Sequence, residues 1–185
     1  MALYAENYDG GYIFAAGGFN TQKPVAFEST LSVTGATSLL GAVTQKANVI
    51  SGSGATVTLT AAQSGSVALF DRAAGIVYTL PSPAVGLYYD FHVLTTITSN
   101  AAKVITNTGT VLLTGNLLNI DTDSSNAVAA WTGDGSTHVS VSMNGTTTGG
   151  IAGTFMRFTC ISTTRWLVSG VVEGSGVVAT PFATS

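Results

Sequence analysis

The sequence predicts an all-β protein: an antiparallel sandwich or jelly-roll-like domain with an extended N-terminal arm and a short trimerising strand segment. Turn-forming residues recur at short intervals, and apolar residues alternate with polar ones between them. No stretch carries the pattern of an amphipathic helix longer than two turns. Short strands at regular spacing are typical of sandwiches and jelly rolls.

The composition favours a chain that folds and then associates. Of its 185 residues, 45% are hydrophobic, and the net charge is only -3. Both values are the opposite of those that characterise disordered chains. Only 8% of the residues are charged, whereas soluble domains have about 25%. Charged surface residues oppose association between protein molecules, and this chain has few of them. We therefore expect part of its surface to be buried against other subunits.

Several classes of protein are disfavoured by the same composition. Six scattered basic residues cannot form a stripe that follows phosphates, so we expect no nucleic-acid partner. No apolar run approaches the ~20 residues that span a bilayer, and the first residues do not have the pattern of a signal peptide. The single cysteine, Cys160, lies in an apolar run and is expected to be a buried thiol.

Residues 1–28 differ from the rest of the chain. They combine aromatic residues with the glycine pairs Gly10-Gly11 and Gly17-Gly18, without a helical or alternating period. This segment is either a first strand pair of the main domain or an arm whose aromatic side chains dock on a neighbouring surface. We prefer the arm, because aromatic residues are enriched as interface anchors. The predicted partner-binding residues are Tyr4, Tyr8, Tyr12, Phe14 and Phe19.

Residues 29–54 are predicted to form a short β segment that joins three chains. Its apolar residues Leu31, Val33, Leu39 and Val43 share one parity, as in a strand with one buried face. A short strand interrupted by Gly35 and Gly41 has too little to bury against within one chain. The run resembles segments of phage fibre and decoration proteins in which three chains wind together.

Residues 55–185 are predicted to form the β-sandwich domain, and three of its motifs resemble a β-domain of tailed-phage structural proteins. The motifs are a Leu-Thr-Ala-Ala-x-Ser-Gly turn at Leu59–Gly65, a Leu-Pro-x-Pro-x-x-Gly corner at Leu80–Gly86, and a late strand with Trp166, Val168 and Gly170. The segment Asp121–Thr148 departs from this pattern, since it is longer and more polar. The resemblance implies a head-decoration (cement) or other virion protein that is not an enzyme.

Residues that could carry chemistry are few and scattered. His92 and His138 have no acidic neighbours at catalytic spacing, so we nominate no catalytic residue. The run Asp121–Ser125 begins like a calcium loop but lacks its defining Gly and Glu, so we expect a turn and no metal or other cofactor. Asn144-Gly145 is interpreted as a hairpin turn.

The function predicted from these observations is adhesive. A head-decoration protein is implied to bind the major capsid protein on the outer surface of the virion, as a homotrimer, and to hold neighbouring capsomers together. The alternative is a tail-fibre or receptor-binding module that recognises a host-surface glycan. A polysaccharide hydrolase would need paired carboxylates across a cleft, and the nine acidic residues are too dispersed to nominate a pair.

Overall fold

The computed structural model describes residues 5–8, 11–14, 46–52, 54–99, 102–123 and 128–185, and divides the chain into two compact units, 1–44 and 45–185. In the first unit, β1 (Ala5–Tyr8) pairs antiparallel with β2 (Gly11–Phe14). Tyr8 lies opposite Gly11, so the two strands form a hairpin with a two-residue connection. Ala5–Tyr8 and Gly11–Phe14 therefore lie side by side and are not parts of a single extended stretch.

The second unit is built from short strands. It contains β3 (Val49–Ser51), β4 (Thr56–Thr58), β5 (Val67–Phe70), β6 (Val77–Thr79), β7 (Tyr88–Val93), β8 (Ala102–Ile105), β9 (Leu112–Asp121), β10 (Val128–Asp134), β11 (Ser140–Met143), β12 (Phe155–Ser162), β13 (Arg165–Gly174) and β14 (Phe182–Ala183). A single turn of 3-10 helix spans Ala61–Gln63, and no α-helix occurs among the described residues. In that part of the chain, no helix is long and apolar enough to cross a membrane.

Twelve strands form two sheets that pack together, which confirms the all-β sandwich. The larger sheet has seven strands in the order β10-β9-β13-β12-β7-β5-β3, and the smaller has five in the order β14-β11-β8-β6-β4. Strand β3 belongs to the larger sheet, so the sandwich begins within the segment 29–54 that the sequence sets apart. Strands β10 and β11 lie within the polar segment Asp121–Thr148, which is therefore part of both sheets and not simply an added loop.

The sheets are mixed, so the predicted antiparallel pairing holds for only part of each one. From β3 to β8 the chain alternates between the two sheets at every connection. When the chain leaves one sheet, forms one strand in the other sheet and returns, the strands before and after this excursion run in the same direction. As a result β3, β5 and β7 are parallel neighbours in one sheet, and β4, β6 and β8 are parallel neighbours in the other.

Aromatic side chains from both sheets fill the space between them. The ring of Tyr78, on β6, packs edge-on against Phe70 and Phe91 of the larger sheet, with centroids 5.0 and 5.4 Å apart. Phe91 in turn packs against Phe158 at 5.2 Å. Trp166 is fully buried and its ring centroid lies 6.0 Å from that of Tyr89, so it belongs to the core.

The phage-like motifs shape this scaffold. Leu59 and Leu80 are buried in the core, and the 3-10 turn lies between Leu59 and Gly65. Pro81 lies two residues after the end of β6 and has no backbone N–H to donate, so the Leu80–Gly86 corner ends this strand. These residues determine the course of the backbone.

Candidate interaction face

The solvent-facing side of the seven-stranded sheet, here called the outer face, is unusually apolar. Alternation places Met156, Phe158 and Cys160 of β12 in the core and the residues between them outside. Sheets with one solvated face normally carry polar residues on it. Here eight large apolar side chains are exposed on it: Val49, Tyr88, Leu118, Ile120, Val128, Phe155, Ile161 and Leu167.

The strand register places two of these side chains, Leu118 and Phe155, in a row that crosses the sheet. Directly paired positions on six adjacent strands form what we call the apolar row: Ala130, Leu118, Val171, Phe155, His92 and Leu69. Five of its six members are apolar, and at about 4.8 Å per strand the row runs for about 24 Å. The next row, two residues along each strand, is polar at its centre: Asn116, Ser169, Arg157 and Asp90.

An ion pair stands at the centre of the outer face. Arg157 of β12 donates two parallel hydrogen bonds to Asp90 of β7, from Nε to Oδ1 and from Nη2 to Oδ2, both 2.6 Å long. The guanidinium also lies over the ring of Tyr88, 5.1 Å from its centroid. These bonds to Asp90 raise the pKa of Arg157. Two neighbouring strands therefore hold the guanidinium as a fixed planar group, although 54% of the side chain is exposed.

A shallow groove lies beside the ion pair. Its volume is about 490 Å³, and Asp90, His92, Phe155, Arg157 and Ser169 contribute to its lining. The rings of His92 and Phe155 are stacked along one wall, 6.3 Å apart and inclined by 24°. The groove thus combines an aromatic wall with a charged pair and a hydroxyl group, which are groups that bind either a protein side chain or a small polar ligand.

The sequence nominated other residues for binding than those described on the outer face. Tyr8, Tyr12 and Phe14 lie on the β1–β2 hairpin. The others lie outside the described residues: Tyr4, Phe19, Leu31, Val33, Leu39 and Val43. Docking by the arm and trimerisation by the 29–54 segment therefore stay predictions.

Two of the residues considered for chemistry, Cys160 and His138, occupy structural positions. Cys160 is buried, as predicted, and this burial raises the pKa of its thiol. Asp134 closes the turn to His138 by accepting hydrogen bonds from the backbone of Ser136 and from Thr137, and these bonds lower the pKa of its carboxyl. Among the described residues, no three His, Cys, Asp or Glu side chains come together as a metal site would require.

One signal in the sequence could have indicated the outer face. In β12 and β13 both parities carry large apolar residues, as in Phe155 beside Met156 and Leu167 beside Val168. A strand with one solvated face shows such residues on one parity only. Apolar residues on both parities indicate a strand that is covered on both sides.

Comparison with known proteins adds no family to this description. The chain matches no protein-family model, no curated protein and no solved structure. The assignment of a site therefore depends on the geometry of the outer face.

Proposed function

We propose that this protein is a non-enzymatic decoration (cement) protein of a tailed bacteriophage, which binds the outer capsid surface as a trimer. The observation that carries the proposal is the exposed apolar outer face in a chain with only 8% charged residues. Monomeric soluble proteins rarely expose contiguous apolar patches larger than a few hundred Å², and larger ones mark interaction sites. Such a surface suits a protein that acts by being buried in an assembly.

The proposed mechanism is adhesion between neighbouring capsomers. Each 100 Å² of apolar surface buried contributes about 2.5 kcal/mol before the entropic cost of association. Repeated over many copies on one particle, contacts of modest strength add up to resist the internal pressure of packaged DNA. The partner in this scheme is the major capsid protein.

We assign capsid docking to the arm, residues 1–28. An arm is costly to order, at about 1–2 kcal/mol of backbone entropy per residue fixed. Burial of large rings, at about 150–250 Å² each, is the contribution best able to offset that cost. The β1–β2 hairpin supports this assignment, because pairing already orders part of the arm before it docks.

The test is binding to capsids that lack the protein. Deletion of residues 1–20 should leave a folded β-sandwich with an unchanged melting temperature that no longer sediments with capsids. A variant of full length, with Ser in place of the five predicted partner-binding aromatics, should lose binding equally if the rings are the anchors. Unchanged capsid binding by both variants would refute the role of the arm, and absence of binding by the wild-type protein would refute the decoration function.

The trimer is tested separately through its predicted stripe. Replacing Leu31, Val33, Leu39 and Val43 together with Ser should reduce the mass measured by sedimentation to one third of the wild-type value. Substituting Ser for Thr30 and Thr34, which have the opposite parity, leaves the stripe intact and serves as the control. Equal masses for the wild-type protein and the stripe variant would contradict the trimer.

A second candidate function is supported by the groove. Aromatic rings beside a planar charged pair and a hydroxyl group suit a sugar, so the chain could instead be a receptor-binding module for a host-surface glycan. In that case labelled protein binds host cells, and periodate oxidation of the cell-surface sugars abolishes binding. A Phe155→Ala variant should then bind weakly, whereas deletion of residues 1–20 should have no effect.

A further inference from the structure

We infer that the outer face is a self-association surface that packs against the same face of a second copy of this chain. The inference deepens the proposed function and uses its premise that the chain works in an assembly, but it does not depend on a capsid. Two sheets packed face to face, with strands nearly aligned, are a common solution to the burial of an apolar sheet face. The size of the face and its arrangement of charges favour a second copy as the occupant.

The area of the face matches that of a stable interface. Seven strands about 4.8 Å apart, with roughly 7 residues each at about 3.3 Å, cover roughly 700 Å². Specific interfaces bury about 800 Å² on each partner. One outer face against another would therefore form a contact of standard size without help from other surfaces.

The charges of the face complement one another under twofold symmetry. A twofold axis that runs parallel to the strands, between β12 and β7, places Arg157 opposite Asp90 of the second copy. The reciprocal contact forms at the same time, so the two ion pairs become a ring of four alternating charges. A charge pair at the centre of an apolar interface fixes register and excludes partners of the wrong sign.

The same axis brings apolar groups together across the rest of the face. It places the ring of Phe155 opposite His92 of the second copy, and Val171 opposite Leu69. The centre of the contact would then contain Arg and aromatic side chains, which are enriched in interface cores and among hot spots.

A pair of charge-reversal variants tests the inference on the full chain. Arg157→Asp gives a face with two acids, and Asp90→Arg gives a face with two bases. Each variant should associate with itself roughly 100-fold more weakly than wild type, because like charges meet at the centre. An equimolar mixture of the two should recover association, because the acidic face then meets the basic one.

Sedimentation at micromolar concentration provides the readout. Each variant alone should show half the mass of the wild-type protein, and the mixture should restore the full mass, whatever other contacts hold the protein together. Lys103→Asp makes the same change of charge on the five-stranded sheet and should keep the wild-type mass. Recovery in the mixture also shows that both variants fold, since misfolded chains would not restore each other's association.

The results separate this inference from the proposed function. Equal masses for wild type and both variants, or failure of the mixture to recover, would overturn the self-association surface. Capsid binding by the wild-type protein is measured independently, and its absence would overturn the decoration function while leaving the pairing of faces standing. Capsid binding lost in Arg157→Asp, with no change of mass, would mean that the outer face contacts the capsid and not a second copy.

Discussion

The phenol of Tyr78 donates a hydrogen bond to the backbone carbonyl of Leu69 across the sandwich, with 2.5 Å between the two oxygens. Tyr78 belongs to the five-stranded sheet and Leu69 to the seven-stranded one, so this bond joins the two layers directly. The phenol is fully buried, and its ring packs against Phe70 and Phe91. A buried tyrosine that satisfies its hydroxyl group in this way contributes both packing and a polar contact of defined geometry.

Tyr78→Phe should therefore destabilise the sandwich by about 1–2 kcal/mol, because the ring stays in place while the carbonyl of Leu69 loses this donor. Urea unfolding at neutral pH measures the change. Tyr88→Phe is the matched control, since Tyr88 lies exposed on the outer face, and it should change stability by no more than about 0.5 kcal/mol. Equal effects of the two substitutions would show that the bond contributes nothing.

The buried tyrosines also predict how stability responds to alkali. Burial, with a smaller contribution from Asp71, raises the pKa of Tyr78 above its ordinary value of 10.0, and burial raises that of Tyr89 as well. Above pH 10 the unfolded chain loses these protons while the folded chain keeps them. Each buried tyrosine should therefore contribute a loss of stability that begins at about pH 9 and grows with rising pH, by as much as about 1.4 kcal/mol per pH unit.

The alkaline slope can be assigned to Tyr78 by comparing it in wild type and in Tyr78→Phe. Urea midpoints between pH 9 and pH 11.5 should fall less steeply in the variant, which retains only Tyr89 of the two. Identical slopes would show that the phenol of Tyr78 ionises in the folded protein as easily as in the unfolded one.

An opposite dependence on pH is expected for the turn at Asp134. Its carboxyl accepts from the hydroxyl of Thr137 at 2.5 Å and from the backbone N–H of Ser136 at 2.9 Å. These bonds lower the pKa of Asp134 below its ordinary value of 3.8. Its contribution to stability is therefore complete above about pH 5 and is lost as the pH falls through the lowered pKa.

Asp134→Asn should accordingly lower the urea midpoint at pH 7, and the difference from wild type should shrink as the pH falls below 3.8. Thr137→Val removes the largest single cause of the lowered pKa and should show part of the same effect. A difference between wild type and Asp134→Asn that stays constant from pH 7 to pH 2 would contradict the assignment.

The class of fold follows from the sequence because turns and alternation are local properties. Glycine pairs and prolines mark where strands end, and parity marks which side of a strand is buried. Neither property specifies which sheet the next strand joins. From β3 to β8 every connection crosses between the sheets, so a chain of short strands and turns produced parallel neighbours where the pattern suggested antiparallel ones.

The outer face was harder to predict, because it is assembled from strands that are distant in sequence. Leu118, Phe155 and His92 become members of one row only through the order β9-β13-β12-β7. Likewise, Arg157 and Asp90 become an ion pair only because β12 pairs with β7. The sequence did contain one signal: large apolar residues occur at both odd and even positions of β12 and β13. This pattern indicates that the outer side of these strands is covered, but it does not indicate which molecule covers it.

The turn at Asn144-Gly145 provides a prediction about backbone conformation. Gly145 has φ +78°, and a Cβ atom at this position would lie 1.7 Å from the carbonyl oxygen of Ile97. A side chain is thus disfavoured twice, by the left-handed conformation and by a backbone atom that has little freedom to move. Asn144 holds the same turn from its other side, since its Oδ1 accepts from the backbone N–H groups of Thr146 and Thr148.

Gly145→Ala should therefore cost at least about 2 kcal/mol of folding free energy, which combines left-handed strain with displacement of the Ile97 backbone. Gly109→Ala is the matched control, because Gly109 lies in an exposed turn where a Cβ would have no neighbour within 4 Å. There the loss of unfolded-state entropy should leave stability unchanged or raise it by up to about 1 kcal/mol. Urea midpoints measured side by side decide the matter: similar values for the two variants would mean that the turn relaxes freely and that the contact with Ile97 does not constrain the fold.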